Sequence, residues 1–315
     1  MRILTVGAGA AGGYFGALLA RTGQDVTFLV RPARAAALRE RGLRVTGPDE
    51  EFTLEPKTVT ADALPGPYDL VLLSVKSTGL EQAVRDLAPA VGPGTAIVPL
   101  LNGMAHLGSL GAAFGDHAVL GGVAKVVTTL NEHGDIARMA PPRVLLVGEV
   151  APAGAAGSGG KPSARVEAVR EALGGAGIGT PAVGDIVAAM WHKWVFISTL
   201  AAVTCLMRGA VGEVSAAPGG DALGRAVLAE AAAVSAAAGY PVPDEELATT
   251  TATVTAAGSP LTPSIYRDLL AGHPTEVEHV FGDLVARARA LAVPTPLLDL
   301  ATLHLRVHQR RVTTG

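Results

Sequence analysis

The chain has 315 residues, of which 49% are hydrophobic, 17% charged and only 4% aromatic. That composition excludes intrinsic disorder, and the length exceeds what one hydrophobic core usually serves, so two domains packed from small aliphatic side chains are expected. A net charge of −3 gives no global attraction to nucleic acid or a membrane surface, and the single cysteine, Cys205, excludes an intrachain disulfide framework.

The chain opens on a strand, Arg2–Val6, followed by Gly7, Gly9 and Gly12 in a G-x-G-x-x-G pattern with Ala10 and Ala11 inside it. A helix over Ala11–Arg21 and a second strand over Val26–Val30 follow. In that context each glycine has its own duty: Gly7 permits the tight turn, Gly9 lets the backbone approach a pyrophosphate, and Gly12 lets helix and strand pack closely. The helix N-terminus adds free N–H groups and a positive dipole end. The stretch Ile3–Ala20, which could pass for a signal peptide behind Arg2, is thereby read as a dinucleotide loop, and the chain as cytoplasmic.

An acidic residue about 20 positions after the glycines would bind a ribose 2′-hydroxyl and indicate NAD. Arg31 stands there instead, with Arg34 one helical turn later, whereas Asp25 lies at the other end of the strand. Cations at that place suit a 2′-phosphate, so the cofactor expected is NADP(H).

Further along, helices over Pro32–Arg41, Leu80–Ala90 and Met104–Phe114 alternate with strands over Leu70–Val75, Ala96–Leu100 and Val119–Val123. Arg44–Val59 and Ile136–Gly148 read as added strands with turns, in part antiparallel. Ala151–Pro162 reads as an exposed loop. After Asp185 the strand signal stops, and helical segments follow over Ile186–Arg208, Ala222–Ala238, Asp244–Ala257, Glu276–Leu291 and Leu297–Arg310. The pattern is α/β: an N-terminal Rossmann-type domain with a parallel sheet over 1–183 and an all-helical domain over 184–315. The longest uncharged apolar run, Val195–Met207, is short of the roughly 20 residues of a membrane span and suits a core helix, despite a mean hydropathy of +0.38.

Four more segments carry chemistry. Ser74–Ser77 contains Lys76, and Leu101–Met104 contains Asn102; both follow strands, at the carboxyl edge where open α/β sheets bind ligands. Met190–Trp194 contains Lys193 between two tryptophans near the start of the longest helix. Ser264–Asp268 precedes Pro274–Glu278, which contains Glu276. In this last segment Thr275 and Glu278 fit a capping box, leaving Glu276 without that structural duty.

Taken in order from Arg2 to about Leu305, these segments resemble the ketopantoate reductase (2-dehydropantoate 2-reductase) family. The resemblance implies NADPH-dependent reduction of a 2-oxo acid to a 2-hydroxy acid in pantothenate synthesis, in a cleft between the two domains. It implies that Lys193 polarises and protonates the ketone oxygen and that Glu276 binds the substrate hydroxyl and orients Lys193. Desolvation between the two indoles would lower the Lys193 pKa. Asn102 and Lys76 would position substrate and nicotinamide, and Ser264 would hold the carboxylate.

One departure matters. Residues 193, 197, 201, 204 and 208 share a helix face, and family members carry asparagines at the positions of Ile197 and Ala201 within the substrate site. Here both are apolar, which points toward a different, more apolar 2-oxo acid. A nucleotide-sensing protein without turnover is disfavoured by the presence of both Lys193 and Glu276. No metal site is expected: His304 and His308 read as cations in a last helical turn. The partners expected are a small 2-oxo acid and a second copy of the chain in a homodimer.

Overall fold

A computed structural model describes residues 1–150 and 162–314. The expected loop at Ala151–Pro162 lies, apart from Pro162, outside the described residues. The described chain forms two compact units, Met1–Leu101 with His106–Val187, and Asn102–Ala105 with Ala188 onward.

In the first unit a parallel sheet is built from β1 (Arg2–Val6), β2 (Asp25–Leu29), β5 (Lys57–Val59), β6 (Leu70–Leu73) and β7 (Ala96–Pro99), in the order β5-β2-β1-β6-β7. Residues of β1, β6 and β7 read as continuous apolar runs because helices cover both faces, as a central parallel strand requires. Those helices are α1 (Ala10–Arg21), α2 (Pro32–Arg41), α3 (Leu80–Leu87), α4 (Ala105–Phe114) and α5 (Ala164–Gly175). The two cores lie on opposite sides of the sheet, one holding Ile3, Phe15, Phe28 and Leu72, the other Leu4, Val6, Leu73 and Ile97.

A second sheet corrects the expected topology. Leu120–Leu130 (β8) does not extend the parallel sheet from Val119–Val123. It pairs antiparallel with β9 (Ile136–Glu149), beside β3 (Leu43–Gly47) and β4 (Glu50–Leu54), in the order β4-β3-β9-β8. Its first five residues are all buried and its remainder alternates, so half of it mimics a parallel strand. Val119 touches the parallel sheet through a single bridge to Ile97.

The second sheet grips α1 through a buried polar cluster. The Tyr14 hydroxyl donates to Glu50 Oε1 at 2.5 Å, and Arg138 Nε donates to the same oxygen at 2.7 Å. Burial and the Glu50 carboxylate push the Tyr14 phenol up to about 12.

The second unit is helical throughout its described residues after Ala188. It contains α6 (Ile186–Met207), α7 (Val211–Ala216), α8 (Gly220–Ala237), α9 (Asp244–Val254), α10 (Ser264–Leu270), α11 (Asp283–Ala290) and α12 (Pro296–Thr314), with a π-helical turn at Glu278–Gly282 running into α11. By length and composition α6 could cross a membrane, but 67% of its apolar window is buried inside the protein, as in a core helix. Its hydroxyl residues bond back into the helix: Ser198 Oγ to the Trp194 carbonyl at 2.8 Å, Thr199 Oγ1 to Val195 at 2.8 Å, and Thr204 Oγ1 to Leu200 at 2.7 Å.

Candidate active site

At the carboxyl edge of the parallel sheet Gly7 and Gly12 take the turn and packing duties set out above. Gly7 has φ +91°, and a Cβ there would lie 2.7 Å from the Ser74 carbonyl oxygen. At Gly12 a Cβ would lie 2.5 Å from the Ser74 Cβ, so β6 and α1 touch only because that side chain is missing. A Cβ on Gly9 meets nothing within 4 Å. Gly9 caps α1, so the open space lies where the first N–H groups of the helix emerge.

Backbone bonds lock the glycine loop to the strand ends: Gly7 N donates to Leu29 O at 3.0 Å, and Ser74 N to Val6 O at 3.0 Å. The same edge carries Arg31, exposed at the N-cap of α2, and Lys76, exposed just after β6. Arg34 does not join them. Its guanidinium turns inward to the carbonyls of Ala8 at 3.3 Å and Gly134 at 2.9 Å, so it braces the loop. Asp25 pairs with Lys57 at 2.7 Å, at the opposite strand end.

The second unit gathers the other candidates. Lys193 is half-buried on α6, two turns after Ile186. The rings of its neighbours Trp191 and Trp194 lie 5.0 Å apart, with the Arg287 guanidinium 5.6 Å from each. Trp194 Nε1 donates to the Val280 carbonyl at 2.8 Å in the buried interior. That bond ties the Lys193 turn of α6 to the π-helical turn that starts two residues after Glu276.

Glu276 is half-buried. The expected capping box around it does not form. Glu278 instead accepts a two-pronged bond from Arg306, at 2.7 and 2.6 Å, and Thr275 N donates to Gln309 Oε1 at 2.8 Å. A bidentate guanidinium–carboxylate pair is stronger than a neutral cap. The Glu276 carbonyl accepts from Val280 N at 3.0 Å, at the start of this helical stretch.

Asn102 follows β7 and belongs to the helical unit with Gly103 and Met104. Gly103 has φ +76°, and a Cβ on it would stand 2.7 Å from the His279 carbonyl oxygen. The buried His279 ring bonds the Asn102 backbone, and Glu276 and Asp283 act on it electrostatically, although burial is the larger effect and holds its pKa below the usual range.

Ile197, half-buried, is one turn along α6 from Lys193; Ala201 is fully buried and shows no surface. Ser264 is exposed as the first residue of α10. Cys205 is buried, and burial pushes its thiol up to about 12, so it is inert. His304 is not in a last turn, because α12 continues to Thr314. Burial, then Arg208, His308 and Arg311, hold its pKa down, so it is not a cation at neutral pH. No group of three histidine, cysteine or carboxylate side chains suited to a metal is found among the described residues.

Two family models match the chain: ketopantoate reductase PanE/ApbA over residues 3–152, and ketopantoate reductase PanE/ApbA C terminal over residues 185–309. The chain belongs to the ketopantoate reductase family. It is 29% identical over 309 residues to the uncharacterized oxidoreductase YkpB of Bacillus subtilis, covering 98% of this chain and 99% of that one. It is 31% identical over 292 residues to a 2-dehydropantoate 2-reductase of Archaeoglobus fulgidus, covering 93% and 92%. The crystal structure of 2-dehydropantoate 2-reductase from Geobacter metallireducens superposes with a TM-score of 0.86 at 28% identity, covering 98% and 99%.

As a ketopantoate reductase family member the chain is an NADP-dependent oxidoreductase acting on a ketone or secondary alcohol, with a Rossmann-like N-terminal sheet. Sequence reasoning did not find the roles of His279 and Trp194. The signal available for His279 was its place three residues after Glu276, on the same helical face. For Trp194 it was the adjacency to Lys193, which suggested only desolvation.

Proposed function

We propose that the chain uses NADPH to reduce a 2-oxo acid to the 2-hydroxy acid, with 2-dehydropantoate to pantoate, a step toward pantothenate, as the parent reaction. The observation that carries this reading is the bond from Trp194 Nε1 to the Val280 carbonyl. It fixes the helix turn bearing a cation, Lys193, to the turn bearing a carboxylate, Glu276, an acid and its orienter on rigid supports.

Gly9, Ala10, Ala11 and Gly12 hold the pyrophosphate on the α1 N-terminus, and Arg31 pairs with the 2′-phosphate. NADPH supplies the hydride that reaches the ketone carbon. Lys193 donates its hydrogen bond to the ketone oxygen, stabilises the charge growing there and passes it a proton, leaving a neutral amine that solvent reprotonates. Glu276 accepts from the substrate hydroxyl and keeps the Lys193 ammonium oriented. Asn102 and Lys76 position substrate and nicotinamide, and Ser264 holds the substrate carboxylate. A cytoplasmic location belongs to the same reading, since α6 is packed as a core helix.

A second substrate within the same chemistry is favoured by α6 itself. Beyond Lys193 the accessible part of its face is Ile197, since Ala201 is fully buried, and the hydroxyls of Ser198, Thr199 and Thr204 donate to helix carbonyls. None of these three hydroxyls is left to donate to a hydroxyl on the substrate side chain, and a missing partner costs about 1–3 kcal/mol. A hydrocarbon side chain, as in 2-oxoisovalerate, suits that face. NADPH oxidation measured with 2-dehydropantoate, 2-oxoisovalerate and longer 2-oxo acids tests both readings.

A further inference from the structure

Gly103 and His279 make a joint that the reaction as described does not use. Two independent features define it. The Gly103 backbone sits so close to the His279 carbonyl that a Cβ would stand 2.7 Å from it, in a turn whose φ of +76° itself requires glycine. The His279 ring, buried, bonds the Asn102 backbone. A histidine held neutral by burial has a single N–H, and the backbone acceptor available to it is the Asn102 carbonyl. Glu276, three residues before His279, acts on the same ring electrostatically.

The placement matters because of what stands on either side. Asn102 precedes Gly103 directly, and Glu276 precedes the π-helical turn whose second residue is His279. Single π-turns inside helices recur at functional sites, because the extra residue re-aims side chains. Here the turn presents both its carbonyl and its ring to one dipeptide.

We propose that His279 is a positioning residue that holds Asn102 in register with Glu276. The ring N–H fixes the carbonyl of Asn102, the main-chain carbonyl of His279 receives Gly103, and the two together set the backbone from which the Asn102 amide projects. The inference rests on the reading above, in which Asn102 contacts substrate and nicotinamide. In this role His279 acts through Asn102. Reactions that need a donor and an acceptor atom aligned lose about 10²-fold for a displacement near 1 Å, so a loosened Asn102 is costly without any loss of a reacting group.

The test is a double-mutant cycle on kcat and KM for NADPH-dependent reduction, with His279→Phe, His279→Gln and Asn102→Ala in the full-length enzyme. His279→Phe keeps the ring volume and removes the donor; it is expected to lower kcat/KM by about 10–100-fold. His279→Gln keeps a donor and is expected to recover to within about threefold of the parent. The His279→Phe/Asn102→Ala pair is expected to be no worse than Asn102→Ala alone.

Gly103→Ala is the independent arm: it leaves the ring in place, displaces the turn, and is expected to be equally non-additive with Asn102→Ala. If His279→Phe does not fold, this arm and His279→Gln decide the matter. Additive effects, or a folded His279→Gln as damaged as Gly103→Ala, overturn the role of His279. If Asn102→Ala leaves both constants unchanged, it is the underlying placement of Asn102 that fails, and the proposal fails with it.

Discussion

Lys193 and Arg31 carry the clearest consequences for single side chains. On the proposed reading, Lys193→Ala takes away the proton donor and the charge that meets the developing oxyanion. Turnover should fall by about 10²–10⁴-fold while NADPH still binds; stopped kinetics and a cofactor titration check both halves. Arg31 is exposed at the N-cap of α2, and Arg34 is occupied by the Ala8 and Gly134 carbonyls. On the proposed reading a 2′-phosphate then depends on Arg31. Arg31→Asp should move the kcat/KM preference toward NADH by at least tenfold, about 1.4 kcal/mol; an unchanged ratio contradicts the assignment. At the substrate end, Ile197→Asn should improve 2-dehydropantoate relative to 2-oxoisovalerate, since it restores an amide where the face is now hydrocarbon.

Elements explain why those side chains stand where they do, and they show how far pattern reading reaches. The β1–α1–β2 unit was legible because its signal is local: a short apolar run, glycines at fixed spacing and a helix pattern all fall within the first thirty residues. α6 was legible from its uninterrupted apolar run. β8 was not, because its first five residues are all buried and read as a parallel strand, although its antiparallel partner β9 follows it directly across a short turn. The Thr275–Glu278 capping box was misread for a similar reason, since nothing near Glu278 announces Arg306. His279 needed the fold, because its partner Asn102 belongs to the other half of the sequence. The glycines give a direct contrast between element and ligand. Gly12→Ala should lower the melting temperature of the apo protein, because its Cβ meets Ser74 and the Gly7 carbonyl. Gly9→Asp, whose Cβ meets nothing, should melt like the parent yet bind NADPH more than about tenfold less tightly, as charge is placed against a pyrophosphate.

The behaviour of the whole molecule with pH follows from its ion pairs. Arg306 holds the Glu278 carboxyl below its usual range, Arg165 does the same for Glu149, and Lys57 for Asp25. A carboxyl whose folded pKa is depressed gives stability that is present above its unfolded pKa, near 4, and lost as pH falls through the folded value. The melting temperature should therefore begin to fall as pH drops below about 6.5, where buried His279 and half-buried His304 resist the proton the unfolded chain takes up, and fall further below about 4 as the paired carboxyls are protonated. Arg165→Gln, which frees Glu149, should flatten part of that acid limb, and a profile identical to the parent's contradicts the pairing. The proposed function comes down to one claim, NADPH-dependent reduction of a 2-oxo acid that depends on Lys193. The panel of 2-oxo acids, followed by NADPH oxidation with parent enzyme and Lys193→Ala side by side, tests that claim most directly. The account predicts Lys193-dependent turnover that yields the 2-hydroxy acid, fastest with a hydrocarbon side chain. Oxidation of NADPH by none of the acids above the Lys193→Ala background would contradict it.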